Sequence, residues 1–169
     1  IIGLGLPEAT NQLFPGIDEQ KAALFTASYS AQFRAQDSAP CEFFDGVLET
    51  LSQLRAQGCL LAVATGKSRA GLDRVLSAMN MSTFFDGSRC ADETLSKPNP
   101  LMIKELLAEL LVSPDEAVMV GDTEFDLEMA RNAGIRAIAM TYGAHSKKRL
   151  AAFEPMACLD NFTNIVNYL

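Results

Sequence analysis

The stretch "VMVGDTEFDLEMARNAG" (Val118–Gly134) decides how the chain is read. An apolar triplet runs into a glycine, two aspartates follow four residues apart at Asp122 and Asp126, and the segment closes on Gly134. Apolar runs without polar alternation are what strands covered on both faces require. The stretch therefore predicts a strand, a turn and a helix, with two carboxylates at the carboxyl end of a buried strand. In open α/β sheets ligands bind at that end.

Two further runs, "CLLAVAT" (59–65) and "RAIAM" (136–140), have the same character. Between the runs, apolar residues recur at helical spacing: Val47, Leu48, Leu51 and Leu54; Leu72, Val75, Leu76 and Met79; Ile103, Leu106, Leu107 and Leu110. Strands alternating with helices predict a parallel sheet, so the fold class is α/β, an open three-layer Rossmann-like parallel sheet. Gly58 and Gly134 stand where left-handed C-caps are wanted, Ser68 where an N-cap is wanted, and Pro100 at a first helical turn behind Asn99.

Residues 1–40 read differently. "PEATNQLF" predicts a short helix, and Ala22, Phe25, Tyr29 and Phe33 give a longer one an apolar stripe after Asp18 as its cap. The expected organisation is a helical piece over 1–40 and an α/β core over 41–169, joined by the turn-rich "DSAPCEFFDG". Neither an internal repeat nor a low-complexity segment is present.

The 169 residues, 49% of them hydrophobic, suffice for one core and a smaller attached piece. A formal charge of -7 and a pI near 4.7 argue against a nucleic-acid surface, and Lys147, Lys148 and Arg149 read as a solvated helix start. No apolar run reaches the roughly 18 residues of a membrane span, and "IIGLGLPEAT" lacks the marks of a signal peptide. The expectation is a soluble cytoplasmic protein, with the cysteines at 41, 59, 90 and 158 as free thiols. The chain opens on Ile1 rather than Met, which suggests part of a longer gene product.

Three constellations carry chemistry. In "VATGKS" (63–68), Thr65 can donate to an anion, Gly66 lets backbone approach closely, and the helix start that follows favours negative charge. Lys67 reads as a surface lysine. In "SKPNP" (96–100), Pro98 restricts Lys97 to extended backbone, so its ammonium can be a fixed point charge. In the opening stretch, Asp122 suits Mg²⁺, which takes one or two carboxylates plus water and phosphate, with Asp126 as a water-mediated helper. An ordinary helix start also accommodates this pair. An acid there gains about 0.3–1 kcal/mol, against a like-charge penalty of about 0.2–0.5 kcal/mol.

A threonine, a lysine and a GDxxxD, in that order and each after an expected strand, resemble the haloacid dehalogenase superfamily of phosphatases and phosphotransferases. The resemblance runs from about Phe43 to the C-terminus, and is nearest to the phosphoglycolate phosphatase and β-phosphoglucomutase branch. Residues 1–40 look like the distal part of that family's helical cap. The resemblance implies that Thr65 and the Gly66 amide bind the transferring phosphoryl group and that Lys97 neutralises phosphate and nucleophile. It also implies that Asp122, helped by Asp126, holds Mg²⁺, and that the substrate is a small phosphorylated metabolite such as phosphoglycolate.

The family's chemistry starts at an N-terminal strand ending in DxD, whose first aspartate becomes an aspartyl phosphate. No DxD occurs in the chain, and Asp45 and Asp86, each after "FF", read as turn residues. The expected core therefore lacks its first strand and its nucleophile, which would leave this chain inactive with unpaired sheet edges. The alternatives are a non-catalytic phosphate-binding or regulatory domain and a phosphomutase of the same superfamily. Receiver domains use similar residues in the reverse order. "GLGLPE" lacks the third glycine of a dinucleotide fingerprint, His145 reads as a surface-loop residue, and Phe25, Tyr29 and Phe33 read as packing within the cap. The sequence specifies no oligomeric state.

Overall fold

The computed structural model describes residues 1–36 and 42–169. Cys41 and the expected boundary at 40–41 lie outside these. Helices α1 (Leu6–Leu13) and α2 (Glu19–Gln36) come first, with no strand between them. The rest alternates: α3 (Val47–Ala56), β1 (Ala62–Thr65), α4 (Arg69–Ala78), β2 (Gly87–Cys90), α5 (Leu101–Leu110), β3 (Val118–Gly121), α6 (Glu124–Ala133), β4 (Arg136–Met140), α7 (Lys147–Ala151) and β5 (Ala157–Leu159). A 3-10 turn over Phe162–Asn167 ends it.

All pairings are parallel: β1 with β2, β3 with β4, and β4 with β5. Among the described residues no ladder joins β1 to β3, so the pairs form a two-stranded and a three-stranded sheet. One core nevertheless serves both. Ala64 of β1 and Met119 of β3 pack against Met102 and Ile103 of α5 and Met129 and Ala130 of α6. Leu61 and Val118 meet in a second cluster on Leu54, Ile138, Met140, Leu159 and Ile165. The strands sort their side chains by twos: Val118, Val120, Ile138 and Met140 face α3 and the final 3-10 turn, whereas Met119, Ala137 and Ala139 face the other helices. Helices on both faces make the α/β fold that the apolar runs require.

The expected punctuation is present. Ser68 accepts the Gly71 amide at 3.2 Å, and Gly58 and Gly134 adopt φ of 91° and 76°. Strands β2 and β5 go beyond the expected strands, since "GSRC" has no apolar run and "ACL" is three residues long. Asp86 does more than turn the chain: it takes both Arg55 guanidinium nitrogens at 3.1 and 3.0 Å and the Leu61 amide at 2.8 Å, which pins β2 beside α3 and β1.

Helices α1 and α2 pack on each other through Phe14 and Phe25, with ring centroids 5.2 Å apart. The stripe expected on α2 is largely open: Tyr29 is 50% exposed and Phe33 46%. Those two rings stack on one another, and the Lys67 ammonium lies 6.0 Å from the centre of the Phe33 ring. Among the described residues no helix is long and apolar enough to cross a membrane.

Candidate active site

The turn after β1 is half open. Thr65 is half-buried, and its hydroxyl oxygen accepts the Lys67 amide at 3.1 Å. Two of the amides at the start of α4 are already satisfied, Arg69 by Asp92 at 2.8 Å and Gly71 by Ser68. The helix start is therefore less available to an anion than the sequence suggests. Beside it, Arg69 grips Glu93 with two nitrogens at 2.8 and 2.7 Å. That grip holds the Glu93 carboxyl down at about 2, while burial pushes the Cys90 thiol up to about 11. Such a thiol stays protonated and takes no part in nucleophilic chemistry.

The turn after β3 is closed. Asp126 is 3% exposed and Lys97 6%. The Lys97 ammonium donates to one Asp126 oxygen at 2.5 Å, and the other oxygen accepts the Thr123 amide at 3.1 Å and the Thr123 hydroxyl at 2.7 Å. The Thr123 hydroxyl oxygen in turn accepts the Asp126 amide at 3.3 Å, which completes a reciprocal cap on α6. Gly121 is required here, because a Cβ at that position would lie 2.4 Å from the Cβ of Asp126. Asp126 is thus committed on both oxygens, and what it holds is Lys97.

Asp122 keeps more freedom. Its Oδ2 accepts the Ala144 amide at 2.8 Å, and its backbone carbonyl accepts the His145 amide at 3.1 Å. A Cβ on Gly143 would sit 2.1 Å from the same Oδ2, so only glycine lets the 142–145 loop close on the carboxylate. Among the described residues no three His, Cys, Asp or Glu side chains converge as a protein cage for a metal. Mg²⁺ does not need one: a single carboxylate with water and a substrate phosphate meets its octahedral oxygen preference. Asp122 fits that role.

His145 is not the surface residue its polar surroundings suggest. It is 4% exposed, its ring meets Phe125 edge-on at 5.7 Å, and its Nδ1 accepts the Glu124 amide at 3.0 Å. Burial, reinforced by the Arg149 charge, keeps its pKa below the ordinary imidazole value, although Glu124 and Asp122 pull the other way. A neutral ring with its lone pair on Nδ1 is the form that this hydrogen bond needs.

One stretch that touches the surroundings of all three motifs is the opening "GLG", which lacks the third glycine of a dinucleotide fingerprint. The Gly5 amide donates to the buried Ser96 hydroxyl at 2.7 Å. A Cβ on Gly66 would stand 2.7 Å from the Leu4 carbonyl oxygen and 3.0 Å from that of Gly3, and a Cβ on Gly3 would stand 2.8 Å from the Thr123 hydroxyl. Three consecutive residues thus touch the turn after β1, the neighbour of Lys97 and the turn after β3. Sequence offered one signal for this, two glycines flanking a single residue just before a proline-started helix.

A family model described as haloacid dehalogenase-like hydrolase matches residues 1–140. The chain is 37% identical over 169 residues to the Dickeya dadantii (strain 3937) protein named "Probable phosphatase IndB", covering 98% of this chain and 74% of that protein. It is 29% identical over 157 residues to the Bacillus cereus (strain B4264) pyrophosphatase PpaX, covering 92% of this chain and 73% of that one. Among solved structures, a haloacid dehalogenase-like hydrolase from Bacteroides fragilis matches with a TM-score of 0.89 at 24% identity, over 97% of this chain and 79% of that chain. A predicted phosphoglycolate phosphatase from Haemophilus somnus 129pt matches at 0.81 and 24%, over 99% and 78%. The two structures establish the open α/β architecture. The chain belongs to the haloacid dehalogenase-like hydrolase family, as the order of Thr65, Lys97 and Asp122 implies, and its enzyme class is that of a hydrolase.

Proposed function

We propose that the chain carries the phosphate-binding and metal-binding side of a Mg²⁺-dependent phosphatase acting on a small phosphorylated metabolite, phosphoglycolate-like in size and charge. The observation that supports this most is the convergence just described, in which Gly3–Gly5 contacts Gly66, Ser96 and Thr123 together. Thr65 and the Gly66 amide receive the transferring phosphoryl oxygens. Lys97, fixed by Asp126, supplies a positive charge that cannot swing away. Phosphoryl transfer depends mainly on such positioning and charge neutralisation.

Asp122 would hold Mg²⁺ through the oxygen not engaged by Ala144, and Asp126 serves Lys97 rather than the ion. When bound, the ion neutralises charge on the phosphoryl oxygens. The attacking carboxylate, which would form the aspartyl phosphate, is not supplied by any DxD of these 169 residues. In this reading residues 1–40 are the distal part of a helical cap, and 41–169 are the core without its first strand. That no ladder joins β1 to β3 among the described residues agrees with a strand's place between them.

The test is phosphate release from 2-phosphoglycolate and p-nitrophenyl phosphate by the natural gene product, with Mg²⁺ and after chelation. Asp122→Asn is expected to lower the Mg²⁺-dependent rate at least about a hundredfold, the scale on which single charge-stabilising groups act. An unchanged rate would remove Asp122 from the site.

A further inference from the structure

We propose that His145 is a positioning residue for the Asp122 carboxylate, acting through the backbone of its own loop. The inference rests on the reading that Asp122 holds a divalent cation. The Glu124 amide belongs to the first turn of α6, where amides have no partner within the helix. His145 Nδ1 takes that amide at 3.0 Å, while Thr123 caps the Asp126 amide. The ring is thereby anchored to a fixed point of the core and wedged edge-on against Phe125. With the ring fixed, the preceding backbone is fixed as well: the His145 amide donates to the Asp122 carbonyl at 3.1 Å and the Ala144 amide donates to Asp122 Oδ2 at 2.8 Å. One oxygen of the carboxylate is held by the loop, and in the proposed reading the other takes the cation. Gly143 makes this approach possible, since any side chain there would meet Oδ2.

The chain of contacts thus runs from the α6 amide to His145 Nδ1, then through the loop backbone to Asp122. It differs from a general-base role, because the lone pair that would take a proton is already spent on Glu124. What the site requires at position 145 is an acceptor at one place, and not a titrating ring. Asn presents its Oδ1 where His presents Nδ1, whereas Leu has the bulk without the acceptor, and Gln carries its oxygen one bond too far.

Two measurements on the natural protein test this, using His145→Leu, His145→Asn and His145→Gln. Amide hydrogen exchange at Ala144 reads the bond to Asp122 directly and needs no metal. Calorimetric titration with Mg²⁺ alone reads the carboxylate's fitness as a ligand. Leu and Gln are expected to speed Ala144 exchange and to weaken Mg²⁺ binding by about tenfold, the low end for groups that orient a metal ligand. Asn should keep both near the unaltered protein. Equal protection of Ala144 in all three variants, or equal loss in Asn and Gln, overturns the proposal. If the Leu variant does not fold, the contrast of Asn with Gln decides it. If the unaltered protein binds no Mg²⁺, the reading of Asp122 fails, and hydrogen exchange still decides whether His145 holds its carboxylate.

Discussion

The turns after β1 and β3 have the same plan, a strand ending beside a small residue and a capped helix, but opposite finishes. In the β1 turn Thr65 is half-buried, Lys67 and the cap Ser68 are exposed, and the charged partners Arg69 and Glu93 are 33% and 36% exposed. In the β3 turn Thr123, Asp126 and His145 are buried and have partners. An open rim can adapt to an incoming anion. A closed one fixes the direction of its charges, at the cost of desolvating them. One fold thereby carries an open and a closed version of the same turn.

Asp126→Ala should separate the turns most sharply. It strands the Lys97 ammonium in the interior, and removing one partner of a buried pair typically costs about 3–5 kcal/mol. Urea unfolding should show that loss, and a loss under about 1 kcal/mol, the scale of exposed pairs, would mean that the closed turn is less dry than its burial implies. Ser68→Ala removes the corresponding cap on the open side and should cost about 1 kcal/mol by the same measurement. A cost equal to that of Asp126→Ala would erase the contrast.

The smallest effect is a pH dependence. The Glu93 carboxyl, held by Arg69, lies at about 2 instead of its ordinary 4.5. The folded protein therefore binds that proton less readily than the unfolded chain. The contribution is complete above 4.5 and fades as the pH falls from there towards about 2. Glu93→Gln should flatten the acid limb of the stability profile in that window and leave neutral pH nearly unaffected. A variant whose acid limb matches that of the unaltered protein would place Glu93 outside Arg69's reach.

Much of this was legible beforehand for simple reasons. Strands β1, β3 and β4 announce themselves because burial on both faces demands continuous apolar runs, and α3 to α6 because one face of each is apolar. Thr65 ends β1 and Asp122 directly follows β3 whatever the packing, whereas Lys97 lies seven residues past β2, just ahead of α5. The closed turn was harder to read. Asp122 and Asp126 look alike as an i,i+4 acidic pair, and only the fold turns one inward to Lys97, 29 positions away in the chain. His145 sits among polar residues, and the amide and the ring that hold it belong to Glu124 and Phe125, 21 and 20 positions earlier. The α2 stripe was legible as a period, but a period does not say what covers it.

The contacts of Gly3–Gly5 also set an order of assembly. The bond from Gly5 to Ser96 closes a separation of 91 residues, with small loops and local helices inside it. Contacts so distant along the chain pay their closure entropy before they are rewarded, so they form after the nearby pairs. Helices α3 to α6, the β3–β4 ladder and the Lys97–Asp126 pair can settle first, and the contacts of the opening residues with Gly66, Ser96 and Thr123 are added when those residues dock. Binding competence should accordingly be gained last on refolding and lost first on mild denaturation, while most of the secondary structure is still in place.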